Sequence, residues 1–219
     1  LAFARGGWGS ARLLERVQPW NKGWLIGYSD LTSILLARLA SGFLGGIHGP
    51  LVTTLGNEPD WSKNRLKSIL FGNSIPDIYG DPWGGGTSEG HLIVGNLTVM
   101  THLIGTRHLP NFKEAILILE DIGEAPYRID RMLTQLRLTG ILKEIAGLGF
   151  GSFYKCDDNE SVDKNKTFEL DEILKDRTKD LNIPIISNLP IGHCNGNASI
   201  PLGCKGIIDG NKGRLSVIY

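Results

Sequence analysis

The sequence predicts an α/β fold with a parallel sheet, and three segments carry the prediction. Residues 24–27 (WLIG), 115–119 (AILIL) and 183–189 (IPIISNL) are short apolar runs of strand length. Each gives way to polar or Pro- and Gly-containing sequence. After the first two a helical spacing of apolar residues follows, the alternation that builds βα units.

Taken in chain order, residues 1–4 (LAFA) read as a strand, 6–9 as a glycine-rich loop and 10–17 as a helix. The run 24–27 then ends at Tyr28-Ser29-Asp30. Leu31, Ile34, Leu35 and Leu39 recur at helical spacing beyond it, which puts Ser29 at a turn from strand to helix. From 75 to 90 the chain is rich in Gly and Pro (IPDIYGDPWGGGTSEG) and reads as a linker. This divides the chain into a nucleophile-bearing unit at 1–74 and a second α/β unit at 91–219. In the second unit HLIVGNLTVMTHLIG leads to the 115–119 strand, which ends at Glu120 and Asp121. In a helix over 127–139, Ile129, Met132, Leu133 and Leu136 fall at i, i+3, i+4 and i+7, and Gly140 stops it. A strand at 145–153 follows. The mixed-charge run 156–180 reads as an irregular loop and then a surface helix with Phe168, Ile173 and Leu174 turned inward. The 183–189 strand opens into a loop that carries His193.

A serine, an acid and a histidine therefore each follow a strand end, where open α/β sheets place their ligands. A hydroxyl on a tight strand-to-helix turn is exposed. The first N–H groups of the helix, with the positive end of its dipole, can hold a developing oxyanion. The serine needs a base to take its proton, and the base needs an acid to fix its tautomer. Ser29, Glu120 and His193 make that set. Asp121 and Glu124 are rivals for the acid, though Glu120 is the first polar residue leaving the buried run. Each residue also has a structural reading: Ser29 or Asp30 could serve only as a helix cap.

The segments ARGGWGSARLL (4–14), GYSDLT (27–32), HGP (48–50), GNLTVMTHLIGT (95–106), ILILEDIGEAPYRIDRMLTQL (116–136) and LPIGH…IPLG (189–203) resemble the LD-carboxypeptidase family of serine peptidases. That family includes murein tetrapeptide carboxypeptidases and microcin C self-immunity peptidases, and LEDIGEAPYR looks more like the murein branch. The resemblance covers nearly the whole chain in order. It implies a partial Rossmann- or flavodoxin-like N-terminal domain followed by a second α/β domain, and a Ser29–Glu120–His193 triad. It also implies an oxyanion hole from the N–H groups of Asp30 and Gly7, with Gly6 as the alternative to Gly7. The implied substrate is a murein-derived peptide ending in D-alanine, met during peptidoglycan recycling. No metal or organic cofactor is implied, and a homodimer is the expected assembly. Family members usually begin with a further stretch before the glycine loop, whereas this chain begins at Leu1 without an initiator Met. The expectation is a truncated or processed product whose N-terminal segment could be a separate chain.

Three other readings compete. LAFARGGWGSARLL followed by Asp30 has the outline of a dinucleotide fingerprint, but its glycines run G-G-x-G and the third position of the pattern falls on Arg12. An α/β-hydrolase elbow is G-x-S-x-G, and here Leu31 occupies the last position. A non-catalytic muropeptide-binding module would leave Ser29 and Glu120 as structural residues; the intact set of three argues against it.

Composition sets the outer bounds. With 23 basic and 23 acidic residues, no net field favours nucleic acid or a membrane surface. The longest apolar runs are far too short to span a bilayer. Cys156, Cys194 and Cys204 cannot all pair within one chain, and free thiols in a reducing, cytoplasmic compartment are the simplest account. His48 reads as a loop hydrogen-bonding residue; His91, His102 and His108 read as strand and loop residues without metal spacing. Cys194 adjoins His193, but neighbours in an extended loop point apart. Arg128 and Arg131 read as surface or structural charges, either of which could meet a substrate carboxylate.

Overall fold

The computed structural model describes residues 1–16, 19–157 and 168–218. Strand β1 (Leu25–Gly27) leads through a 3₁₀ turn (Ser29–Leu31) into helix α1 (Thr32–Ala40). Strand β2 (Gly46–His48), helices α2 (Val52–Leu55) and α3 (Asp60–Phe71), and strands β3 (Ile78–Tyr79) and β4 (Asp81–Pro82) follow. Next come β5 (Thr87–Asn96), α4 (Leu97–Thr101), β6 (Ala115–Ile122), α5 (Pro126–Leu138), α6 (Ile141–Glu144) and β7 (Gly147–Tyr154). The chain closes with α7 (Leu170–Thr178), β8 (Ile185–Ser187), β9 (Ile200–Pro201), β10 (Lys205–Asp209) and β11 (Arg214–Ile218).

Two sheets result. The smaller has the order β1-β2-β9, with β1 and β2 parallel. The larger has the order β3-β11-β10-β5-β6-β7-β8-β4. Its centre, β5 to β8, is parallel, and antiparallel strands flank it on both sides. The predicted α/β class with a parallel sheet is thus the observed one.

Alternation along the central strands explains their nearly continuous apolar sequence. Leu117 and Leu119 face one core with Ile93, Phe150 and the helices, while Ile116 and Ile118 face a second core with Leu92, Val94 and Ile208. A strand covered on both faces has no solvent side on which to carry polar residues. In α5, Ile129, Leu133 and Leu136 are buried, Pro126 occupies the first turn, and Gly140 follows with a φ of 83°.

The segment 75–90 is not a linker. It forms β3, β4 and the start of β5, and the core containing Leu31 and Leu35 of the first unit continues into Ile93 and Leu117 of the second. Its glycines serve close approach: a Cβ on Gly85 would stand 2.0 Å from the Ile183 carbonyl oxygen, and one on Gly80 2.2 Å from that of Ser187.

Other local expectations also shift. Residues 1–4 make only a bridge between Ala2 and Ile26. The helix expected over 10–17 is a 3₁₀ helix, Ser10–Glu15, and Val17 lies outside the described residues. Most of the loop expected after Cys156 also lies outside them. In the helix beyond it Ile173 and Leu174 are buried as expected, but Phe168 precedes α7 and is 74% exposed.

Candidate active site

Ser29 sits just past β1 with a φ of 63°, one of four non-glycine residues with positive φ among the described residues. That conformation costs an L-residue about 1–3 kcal/mol and here turns the strand sharply into α1. Gly27 makes the turn possible, because a Cβ on it would lie 3.1 Å from both Cβ and Cγ of Leu31. In this elbow Leu31 takes the place where the α/β-hydrolase pattern has glycine, and its side chain occupies the room left by Gly27.

The glycine loop is tied to this turn. The Asp30 carboxylate accepts the Ser10 N–H at 2.9 Å, and Ser10 Oγ donates to the Asp30 carbonyl at 2.5 Å. Gly6 then lies against the serine: a Cβ there would come within 3.2 Å of Ser29 Cβ and 3.3 Å of its Oγ. Gly7, with a φ of 134°, has open space around it. Both glycines and Ser29 line one cavity of about 450 Å³, together with Arg5, Tyr28, Leu51, Thr53 and His193.

The start of α1 is joined to the larger sheet at the strand end that carries the acid. Asn96, at the end of β5, donates its N–H to Thr32 Oγ1 at 3.0 Å and pairs in register with Glu120 of β6. Gly95 permits this approach, since a Cβ on it would be 2.5 Å from Thr32 Cγ2.

Glu120 is fully buried, and its Oε2 lies 2.7 Å from His193 Nδ1. Oε1 has no hydrogen-bond partner among the described residues. Asp121 faces elsewhere. It accepts from Asn96 Nδ2 at 2.9 Å, from the Thr98 N–H at 2.9 Å and hydroxyl at 2.8 Å, and from the Ile122 N–H at 2.8 Å. Burial raises its pKa, and the bonds from Thr98, Ile122 and Asn96 oppose that rise. Glu124 is paired with Arg128 at 3.2 Å. Of the three candidate acids, Glu120 is the one that meets the histidine.

His193 is positioned by its loop. Gly192 has a φ of 100°, and its N–H donates to Asn197 Oδ1 at 2.9 Å. The Asn197 N–H in turn donates to the buried Glu58 at 2.9 Å. The His193 carbonyl accepts from Ser152 Oγ at 3.1 Å. The Tyr28 ring lies 4.9 Å from the imidazole, tilted by 59°. Burial, with Glu120 and Glu58 adding to it, pushes the Tyr28 pKa up to about 12. With Nδ1 engaged by Glu120, Nε2 is the nitrogen left for the cavity that His193 shares with Ser29. Ser29 Oγ makes no hydrogen bond to His193 here; such bonds often tighten only when substrate is bound.

The remaining candidates do not join this set. His48 is not a loop residue: it ends β2, is fully buried, and neither ring nitrogen has a hydrogen-bond partner among the described residues. Cys194 is a free thiol whose pKa burial raises to about 11, with Glu58 and Glu120 adding to the effect, which opposes a Cys–His pair. Arg128 and Arg131 both approach the Tyr127 ring, at 5.8 and 5.0 Å. Sequence reasoning missed Arg5, Tyr28, Glu58 and Asn197. Arg5 and Tyr28 stood beside motifs already recognised, whereas no spacing links Glu58 to a loop so far along the chain.

A sequence profile described as the LD-carboxypeptidase N-terminal domain matches residues 1–49, and one described as the LD-carboxypeptidase C-terminal domain matches residues 89–208. The chain is 44% identical over 219 residues to a putative carboxypeptidase of Synechocystis sp., covering 98% of this chain and 71% of that protein. It is 32% identical over 229 residues to the murein tetrapeptide carboxypeptidase of Pseudomonas aeruginosa, with 96% and 72% of the two chains covered. Among solved structures, the muramoyltetrapeptide carboxypeptidase from Oxalobacter formigenes matches with a TM-score of 0.85 at 28% identity. That match covers 97% of this chain and 75% of the other.

Proposed function

The chain belongs to the LD-carboxypeptidase family, and on that premise we propose that it is a serine hydrolase acting through Ser29, His193 and Glu120. Its family-level activity is that of the murein tetrapeptide carboxypeptidases. The proposed reaction is removal of the terminal D-alanine from a murein tetrapeptide, in cytoplasmic peptidoglycan recycling. The observation that carries the reading is the 2.7 Å contact between His193 Nδ1 and buried Glu120, beside a cavity that Ser29 shares.

The proposed steps assign each residue one part. His193 Nε2 takes the Ser29 proton as Oγ attacks the carbonyl of the third peptide residue, whose L-centre precedes the scissile bond. Glu120 holds the imidazole in the tautomer that leaves Nε2 basic, and it stabilises the imidazolium that forms. The tetrahedral oxyanion is held by the N–H groups of Asp30 and Gly7, with Gly6 as the neighbouring alternative. Such a donor is typically worth about 3–4 kcal/mol. Collapse expels D-alanine, whose nitrogen takes the proton from His193. Water, deprotonated by His193 Nε2, then attacks the acyl ester, and the imidazolium returns its proton to Ser29 Oγ as the peptide acid leaves.

Mass spectrometry of L-Ala-γ-D-Glu-meso-DAP-D-Ala after incubation with this chain tests the proposal, with Ser29→Ala as control. Loss of one D-alanine with the wild type alone is the expected result. Equal loss with Ser29→Ala would reject the serine mechanism. Turnover of a peptidyl nucleotide with the tetrapeptide untouched would transfer the site to the microcin-type substrate.

A further inference from the structure

Among the described residues, Arg5 is the only Arg or Lys in the wall of the cavity that holds Ser29 and His193, and no carboxylate of the described residues lines that wall. Its guanidinium has no hydrogen bond or ion pair among the described residues. Other arginines are engaged: Arg38 and Arg65 on backbone carbonyls, Arg137 on Asp180 and Arg214 on Asp77. The backbone beside Arg5 is nonetheless held, because the Ala4 carbonyl accepts both the Thr53 N–H at 3.1 Å and the Thr53 hydroxyl at 2.7 Å. On its other side Gly6 lies against Ser29. A pinned main chain thus carries an unpaired cation past the proposed nucleophile.

We propose that Arg5 binds the terminal carboxylate of the leaving residue and thereby restricts the enzyme to the last bond of a peptide. The inference rests on the reading of Ser29 as nucleophile. When the scissile bond is the last in the chain, the free carboxylate belongs to the very next residue, about 3.8 Å further along the backbone. A side chain as long as arginine, one residue removed from Gly6, can reach that far. The planar guanidinium pairs with a carboxylate through two parallel N–H···O bonds, which a neutral amide cannot reproduce. In an internal bond the same position holds another peptide group, so the cation is left unmatched and the bond is disfavoured.

The test compares the tetrapeptide free acid with its C-terminal carboxamide. For the wild type the ratio of kcat/KM values, acid over amide, is expected to be about tenfold or more, the usual scale for a charge-assisted pair. In Arg5→Met that ratio falls towards one, and Arg5→Lys restores part of it. A wild-type ratio carried unchanged into Arg5→Met overturns the assignment. Calorimetric binding of both uncleaved peptides to the Ser29→Ala protein reads the same preference without turnover. Cleavage by the wild type together with equal binding of acid and amide would overturn the role of Arg5 alone. Binding of neither peptide would overturn that role and the proposed substrate together.

Discussion

Gly192 stands so close to Glu120 that a Cβ on it would lie 2.4 Å from Oε2, the oxygen that meets His193. The loop bearing the histidine thus packs directly on the acid, and only a residue without a side chain fits between them. Gly151 plays a similar part from β7, where a Cβ would stand 2.5 Å from the Ile191 carbonyl oxygen and 3.2 Å from Glu120 Cβ.

Gly192→Ala is therefore expected to displace His193 from Glu120. The positive φ of 100° adds a backbone penalty of about 1–3 kcal/mol. A fall of about a hundredfold in kcat with a lowered urea midpoint is the expected outcome. Wild-type kcat in this variant would mean that the contact does not matter to turnover.

The choice among the acids separates three variants. Glu120→Gln should cost about 10²–10⁴ in kcat, because an amide can present its NH₂ to Nδ1 and favour the wrong tautomer. Asp121→Asn should mainly destabilise the fold, by about 1–3 kcal/mol, since an amide cannot accept from all the donors that face Asp121. Glu124→Gln should keep most of the activity. Heavy loss in Glu124→Gln with none in Glu120→Gln would reverse the assignment.

Asp30→Ala removes the acceptor for the Ser10 N–H and loosens the glycine loop from the serine turn. A roughly tenfold or larger drop in kcat is expected, with Asp30→Asn recovering part of it through its own carbonyl oxygen. Equal kinetics in Asp30→Ala and the wild type would show that the loop is positioned by other contacts.

His48 gives an acid-sensitivity test. Burial, with nearby His193 adding to it, holds its pKa at about 3 in the folded chain against 6.5 for a free imidazole. The unfolded chain takes up a proton between those values and the folded chain does not, so stability is lost as pH falls through that window. The slope from this residue is at most about 1.4 kcal/mol per pH unit. Urea unfolding at pH 7 and pH 4.5 should show a loss smaller by about 2–3 kcal/mol in His48→Met than in the wild type. Identical losses would show that His48 does not carry the effect.

Much of this architecture was legible in one dimension because hydrophobic periodicity and turn chemistry are local. The 115–119 run, the Ile129-Met132-Leu133-Leu136 stripe and the helix after Asp30 all appear where their spacing placed them. Family membership was legible as well, from motifs spread along nearly the whole chain.

What the sequence alone determined was the class of fold and the segments that carry Ser29, Glu120 and His193; the structure places Glu120 inside β6 (Ala115–Ile122) rather than after it, and His193 in the loop beyond Ser187. Tertiary structure decided which acid faces the histidine. Successive residues of a strand point to opposite faces, and Glu120 and Asp121 are both buried, so polarity alone could not assign either one a face. It also decided that 75–90 contributes strands to the larger sheet, since a glycine that permits a turn and one that admits a neighbouring backbone look the same in sequence. The support behind His193, running from Gly192 through Asn197 to Glu58, joins residues far apart in the chain, and only folding brings such hydrogen-bond partners together.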